Sequence, residues 1–187
     1  WFIISISKGN QPTSNNMKNF KNLALAALTF VATVAPTAIA PAQAGAFNNL
    51  TTGQKELIVS IKRQGVDISA SACENNNSYG WFSYYTGTWR DAKIQVCTNV
   101  ATSQADQWET LRHEAVHVAQ KCENRDHGNS FETLSTASWL RKYGSQSDAQ
   151  FIMSAYPEAK WGVEFEAFTL QKYSNQTIAN IVNQRCN

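Results

Sequence analysis

The sequence has no block of like charge. Its 16 basic residues stand against 14 acidic ones, with no basic stripe and no acidic tail, so a nucleic-acid partner is not expected. It also lacks a second long hydrophobic run. Its one extended apolar stretch, from Leu23 to about Val34, lies near the start, and nothing after it reaches the ~20 residues needed to cross a bilayer. Internal repeats are missing, and the only compositional bias is an Asn-rich turn around residues 75–77. No two of the four cysteines sit at the close spacing of a zinc–thiolate site. Histidine is scarce as well: there are three, and two of them fall within five residues.

What is present begins with a targeting pattern. From Met17 the chain reads "MKNFKNLALAALTFVATVAPTAIAPAQAGAF": Lys18 and Lys21, an apolar run, then small residues. This is the anatomy of a secretory signal peptide, residues 17–44, with cleavage favoured after Ala44 and Ala38-Ile39-Ala40 as a second small-x-small site. The run is short for a membrane anchor and is interrupted by Pro36 and Pro41. Residues 1–16 precede that start, read as an upstream non-native extension, and are left out of the expected fold. Residues 45–187 are expected to form a single domain. Three of the 16 basic residues (Lys8, Lys18, Lys21) precede it, leaving 13 against 14 acidic ones. Export to a periplasmic or extracellular location follows, with no membrane contact in the mature form.

Cys73, Cys97, Cys122 and Cys186 all lie in that unit. An even count in an exported chain predicts two disulfides. Of three possible pairings, Cys73–Cys97 with Cys122–Cys186 is favoured: the first closes a polar loop-and-hairpin region, and the second pins the C-terminus to the histidine-bearing helix.

The pattern predicts a mostly helical α+β domain. "LTTGQKELIVSIKRQGV" has a start signal at Thr51 or Thr52, apolar residues Leu57, Ile58 and Ile61, and Gly65 where a helix would stop. Residues 71–99 change to a polar turn, aromatics and alternating Ile94 and Val96, predicting a β-hairpin or short meander. Ser103 three residues before Asp106 suggests a capped helix from about Gln104 to Lys121. Helical patterns return in "SFETLSTASWLRKYG", "SDAQFIMSAY", "PEAKWGVEFEAFTLQKY" with Pro157 at its first position, and "SNQTIANIVNQRC".

The chemistry is concentrated in "HEAVH", residues 113–117. Residues four apart on a helix share a face, so His113 and His117 can offer ring nitrogens to one ion. Imidazole suits zinc, and a catalytic zinc usually keeps three protein ligands. Glu114 follows the first ligand and is placed to act as general base on a water rather than as a ligand. An apolar stripe of Trp108, Leu111, Ala115, Val118 and Cys122 predicts that the helix is central.

This segment resembles the zincin metallopeptidases, in which a small sheet, whose edge strand pairs with an extended substrate, precedes the HExxH helix. "AKIQVCTN" is the candidate strand before that helix. Two branches fit poorly: the metzincin HExxHxxGxxH has Gln120 and Glu123 at its glycine and last histidine, and no Gly-Thr-x-Asp of the aspzincins is found, although Asp126 is close by. The resemblance to gluzincins, whose third ligand lies within Glu-x-x-Ala on a second helix, implies Glu164 as that ligand, 47 residues after His117. Glu166, His127 and Glu123 stay open as alternatives. The position after Ala167 is Phe168 rather than an acid, and Glu166 is a candidate to orient a histidine. Tyr143, Tyr156, Tyr173 and His127 are unranked candidates for stabilising an oxyanion. Gln120 is expected to pack or to support the site from behind, and "YGWFSYY" to be core or cleft lining.

The resemblance implies a disulfide-stabilised, zinc-dependent peptidase, monomeric and acting on peptide or protein substrates, with His113, His117 and Glu164 holding Zn2+ and Glu114 as base. The alternatives are a catalytically inactive zinc-stabilised binding protein and a zinc amidase acting on cell-wall material. No pro-segment is expected.

Overall fold

A computed structural model describes residues 49–74, 78–84, 91–124 and 131–187, with the backbone of 2–7. The expected signal peptide and its cleavage site, and residues 125–130 with Asp126 and His127, lie outside the described residues.

The fold is α+β. Helix α1 (Thr52–Arg63) begins at a capping box in which Thr51 and Gln54 satisfy each other's backbone amides. It ends just before Gly65, whose positive φ of 76° reverses the chain cheaply because glycine has no Cβ to clash. Three strands then make a small sheet: β2 (Asp67–Ser71), β3 (Ser78–Tyr84) and β4 (Lys93–Cys97). β4 is the middle strand, parallel to β2 and antiparallel to β3. A fourth strand, β1 (Phe2–Ser7), pairs antiparallel with the outer edge of β3, giving the order β1-β3-β4-β2.

Three details depart from the sequence reading. β2 was not foreseen, since "DISAS" has neither a β-branched run nor clean alternation. The strand just before the histidine helix is interior, not at an edge, because β2 covers its far side. Residues 2–7, left out of the expected fold, occupy the β3 edge with Ile4 opposite Phe82.

Helix α2 (Gln104–Glu123) starts at the expected Ser103–Asp106 capping box. All five residues of its apolar stripe are buried, and so is every residue from His113 to Cys122. A helix buried on all sides needs partners all round, and α2 has them: β3 and β4 on one side, α5 and α6 on the others. Helices α3 (Ala137–Tyr143) and α4 (Gln146–Ala155) follow, each capped by a hydroxyl, Thr136 and Ser145. The helix expected from residue 130 begins only at Ala137, because Thr136 stays extended and accepts the Trp139 amide. Pro157 introduces a single 3-10 turn, Glu158–Lys160, before α5 (Trp161–Leu170). Helix α6 (Asn175–Cys186), capped by Ser174, packs against α1 and α2.

The disulfides Cys73–Cys97 and Cys122–Cys186 form in the favoured pairing. They join β4 to the segment after β2, and the end of α2 to the end of α6. Two such bridges belong to an oxidising compartment. Among the described residues no helix is long and apolar enough to cross a membrane.

Candidate metal centre

His113 and His117 project from one face of α2 toward the first turn of α5, where Glu164 meets them. Fully buried Ala167 lies one turn on from Glu164, and its methyl group is too small to hold the two helices apart. The ring nitrogens Nε2 of the two histidines are 3.1 Å apart. Glu164 Oε2 lies 3.4 Å from Nε2 of His113 and 3.7 Å from Nε2 of His117. His113, His117, Glu164 and the neighbouring Glu114 are all 0% exposed. Rings close the site: Phe168 packs edge-on against His113 at 4.8 Å, and Phe131 against His117 at 5.9 Å.

The hydrogen bonds behind the histidines decide what the site can hold. His117 Nδ1 is 2.7 Å from Oε1 of Gln120, and His113 Nδ1 is 2.8 Å from Oε1 of Gln171. The amide nitrogen of Gln120 donates to Val163 O and Glu166 Oε2, which only accept, so its Oε1 must be the atom facing the ring. The amide nitrogen of Gln171 is likewise committed to a carboxylate oxygen, of Glu109. Both imidazoles therefore donate from Nδ1, and in their neutral forms both Nε2 atoms carry lone pairs. Two lone pairs and a carboxylate then converge without a proton between them. Among the described residues, neither oxygen of Glu164 has a hydrogen-bond partner outside the two imidazoles.

Buried acceptors that face one another call for a cation. The three separations bracket the roughly 3.3–3.4 Å edge of a tetrahedron whose bonds are ~2.0–2.1 Å, the lengths of zinc to imidazole and carboxylate. His113, His117 and Glu164 thus form a buried group that can hold a metal ion.

In the metal-free site a proton on His117 can take the place of that cation beside the Glu164 carboxylate. Burial alone would raise the Glu164 carboxyl, but the two imidazoles outweigh it and hold the group at about 2. His117 is disfavoured as a cation by burial, yet the Glu164 and Glu114 carboxylates prevail and its pKa rises. At His113 burial wins and the pKa falls. Glu114 is pushed up to about 8 by burial, against the pull of His117 and of the Phe82 backbone on β3. It sits beside the ligand group, not in it.

The other candidates are elsewhere. Glu166 is fully buried, but its Oε2 accepts from the Leu134 amide at 2.7 Å and from Gln120 at 2.8 Å, so it supports His117 through Gln120. Glu123 is paired with Arg185 at the surface, at 3.2 Å. Tyr143 and Tyr173 are exposed, at 49% and 38%. Tyr156 is half-buried, with its ring 6.5 Å from Phe168. The aromatics Phe82 and Tyr84 of "YGWFSYY" are core. Sequence reasoning missed Gln171 altogether. The only available signal was its position seven residues after Glu164, two turns along the same helix face.

A family described as Domain of unknown function (DUF8637) matches residues 46–187. No curated protein and no solved structure matches the chain. With most of its length spanned by that match, the chain belongs to the DUF8637 family.

Proposed function

We propose that this protein is a zinc-dependent peptidase of gluzincin type, exported by its N-terminal signal and working in an oxidising compartment. The observation that carries the reading is the convergence of His113 Nε2, His117 Nε2 and the Glu164 carboxylate, with an unligated carboxyl, Glu114, beside them. Two neutral imidazoles and one carboxylate suit zinc among the common divalent ions. Bound there, zinc would polarise a substrate carbonyl and acidify water.

The chain's own groups supply the rest. Glu114 accepts a proton from the attacking water and returns it to the leaving amine nitrogen. A carboxyl held near 8 by its surroundings keeps a proton readily, and a cation nearby draws it back toward the ionised form needed for the first transfer. Gln171 and Gln120 accept from Nδ1 of His113 and His117, so each ring, when neutral, turns the lone pair of its Nε2 toward the ion. Burial excludes bulk water from these groups.

A peptide substrate is favoured by the sheet. The β3 edge takes an extended segment in antiparallel register, as Phe2–Ser7 does, and the Phe82 backbone on that strand faces Glu114. A peptide paired there would run beside the base.

One observation favours a second reading, a zinc-stabilised protein without catalysis: all four polar side chains are 0% exposed, as in a closed structural site. The experiment that separates the two is zinc content by elemental analysis alongside hydrolysis of a peptide panel. The oxidised protein should carry one zinc per chain and cleave peptides, and Glu164→Gln should lose the metal. Glu114→Gln should keep the zinc and lose roughly 10²–10⁴-fold in rate. Zinc without cleavage selects the structural reading, and no zinc after incubation with the ion sinks both.

A further inference from the structure

We propose that Glu109 is a positioning residue for the metal centre: it holds the Gln171 amide in the one orientation that leaves the His113 Nε2 lone pair free for an ion. The inference deepens the proposed function and rests on its assignment of His113 as a ligand.

Glu109 lies four residues before His113 on α2, and so on the same face. Its Oε1 accepts from Gln171 Nε2 at 2.8 Å, and Gln171 Oε1 in turn meets His113 Nδ1 at 2.8 Å. An amide is nearly symmetric in shape, so packing alone does not choose between its two orientations. A carboxylate does choose, because it can only accept. Were the amide reversed, Gln171 would present its NH2 group to His113 Nδ1. That nitrogen would then have to accept, and the ring proton would move to Nε2, aimed at His117 and Glu164 where the ion belongs.

The two histidines differ in how firmly this is enforced. Gln120 is held by two acceptors, Val163 O and Glu166 Oε2, inside the core. Gln171 Nε2 has Glu109 as its acceptor among the described residues. The backbone there is fixed separately: Arg112 Nε donates to Gln171 O at 2.6 Å and its Nη1 to Asn175 Oδ1 at 3.2 Å. Arg112 thus anchors the chain and Glu109 sets the amide. Glu109 is only half-buried and lines a surface cavity with Asp148 and Lys172, so it can be changed without opening the core.

The discriminating variant is Glu109→Gln, which keeps shape and volume but can either donate or accept. The readout is the imidazole tautomer in the metal-free, oxidised protein at alkaline pH, from long-range proton–nitrogen correlations in NMR. Both rings of the parent should carry their proton on Nδ1. In Glu109→Gln, His113 should become a mixture of Nδ1–H and Nε2–H forms while His117 remains Nδ1–H. The zinc dissociation constant should rise about 10-fold, the low end of what outer partners of ligating histidines contribute. A residue that merely fills space would move neither quantity under this substitution. A His113 ring that stays wholly Nδ1–H in the variant, or that carries Nε2–H in the parent, overturns the proposal. So does an unchanged zinc affinity. The tautomer measurement needs no ion, so absence of peptidase activity or of zinc binding would count against the proposed function and leave this result to be read by itself.

Discussion

At the scale of single residues, Glu114 has the most to reveal about the metal-free state. Burial raises its carboxyl from a usual value near 4.5 to about 8. Between those values the folded chain keeps a proton that the unfolded chain has released. The native state binding more protons, stability falls as pH rises through the window. Glu114→Gln retains the neutral shape and has no proton to lose. In urea denaturation of the metal-free protein, the parent should match the variant near the acid end of the window and fall below it near the alkaline end. A constant difference across that range would show that the carboxylate ionises in place at no cost. Much of the residue-level site was legible because HExxH is local: spacing alone put His113, Glu114 and His117 on one helical turn. Glu164 was favoured over Glu166 by its Glu-x-x-Ala spacing, and the packing then sets the two apart, since residues two apart on a helix point to nearly opposite sides. Gln171 was not legible. Glutamine at a helix end carries no signature, and its partner is 58 positions away.

At the scale of elements, the contact between β3 and α2 leaves no slack. A Cβ on Gly80 would lie 2.6 Å from both the Gln95 carbonyl oxygen and Thr110 Cγ2. The first is backbone and cannot turn aside. Gly80→Ala should therefore cost about 1–3 kcal/mol, as overpacking does, and lift β3 away from the helix that carries Glu114. Thermal unfolding checks the cost, and an unchanged midpoint would mean that sheet and helix have room to spare. The starts of α1 and α2 were the most legible, because Thr51 and Ser103 cap by side-chain chemistry written in the sequence; Ser145 and Ser174 cap in the same way but were not read as caps. The sheet was less so. β2 is short, half-exposed and parallel to a strand it meets only through the long-range fold, and a parallel pair leaves no turn signal to read.

At the scale of the whole molecule, two cystines cross-link the fold. Cys122–Cys186 closes a separation of 64 residues and Cys73–Cys97 one of 24. Chain-entropy reasoning gives each about 3–4 kcal/mol, the longer closure more. The paired change Cys122→Ala with Cys186→Ala should therefore destabilise more than Cys73→Ala with Cys97→Ala, as measured by denaturant midpoints at equal metal content. The reverse order would place the greater constraint in the sheet.

The longer bridge has one more consequence. Glu164 lies inside the ring that Cys122–Cys186 closes, whereas His113 and His117 lie on the helix just before it. The bridge thus raises the effective concentration of the carboxylate at the two imidazoles. Opening the cystine would lengthen the tether that returns Glu164 to its partners, so the redox poise of the compartment and the grip on an ion are thermodynamically linked through that one ring.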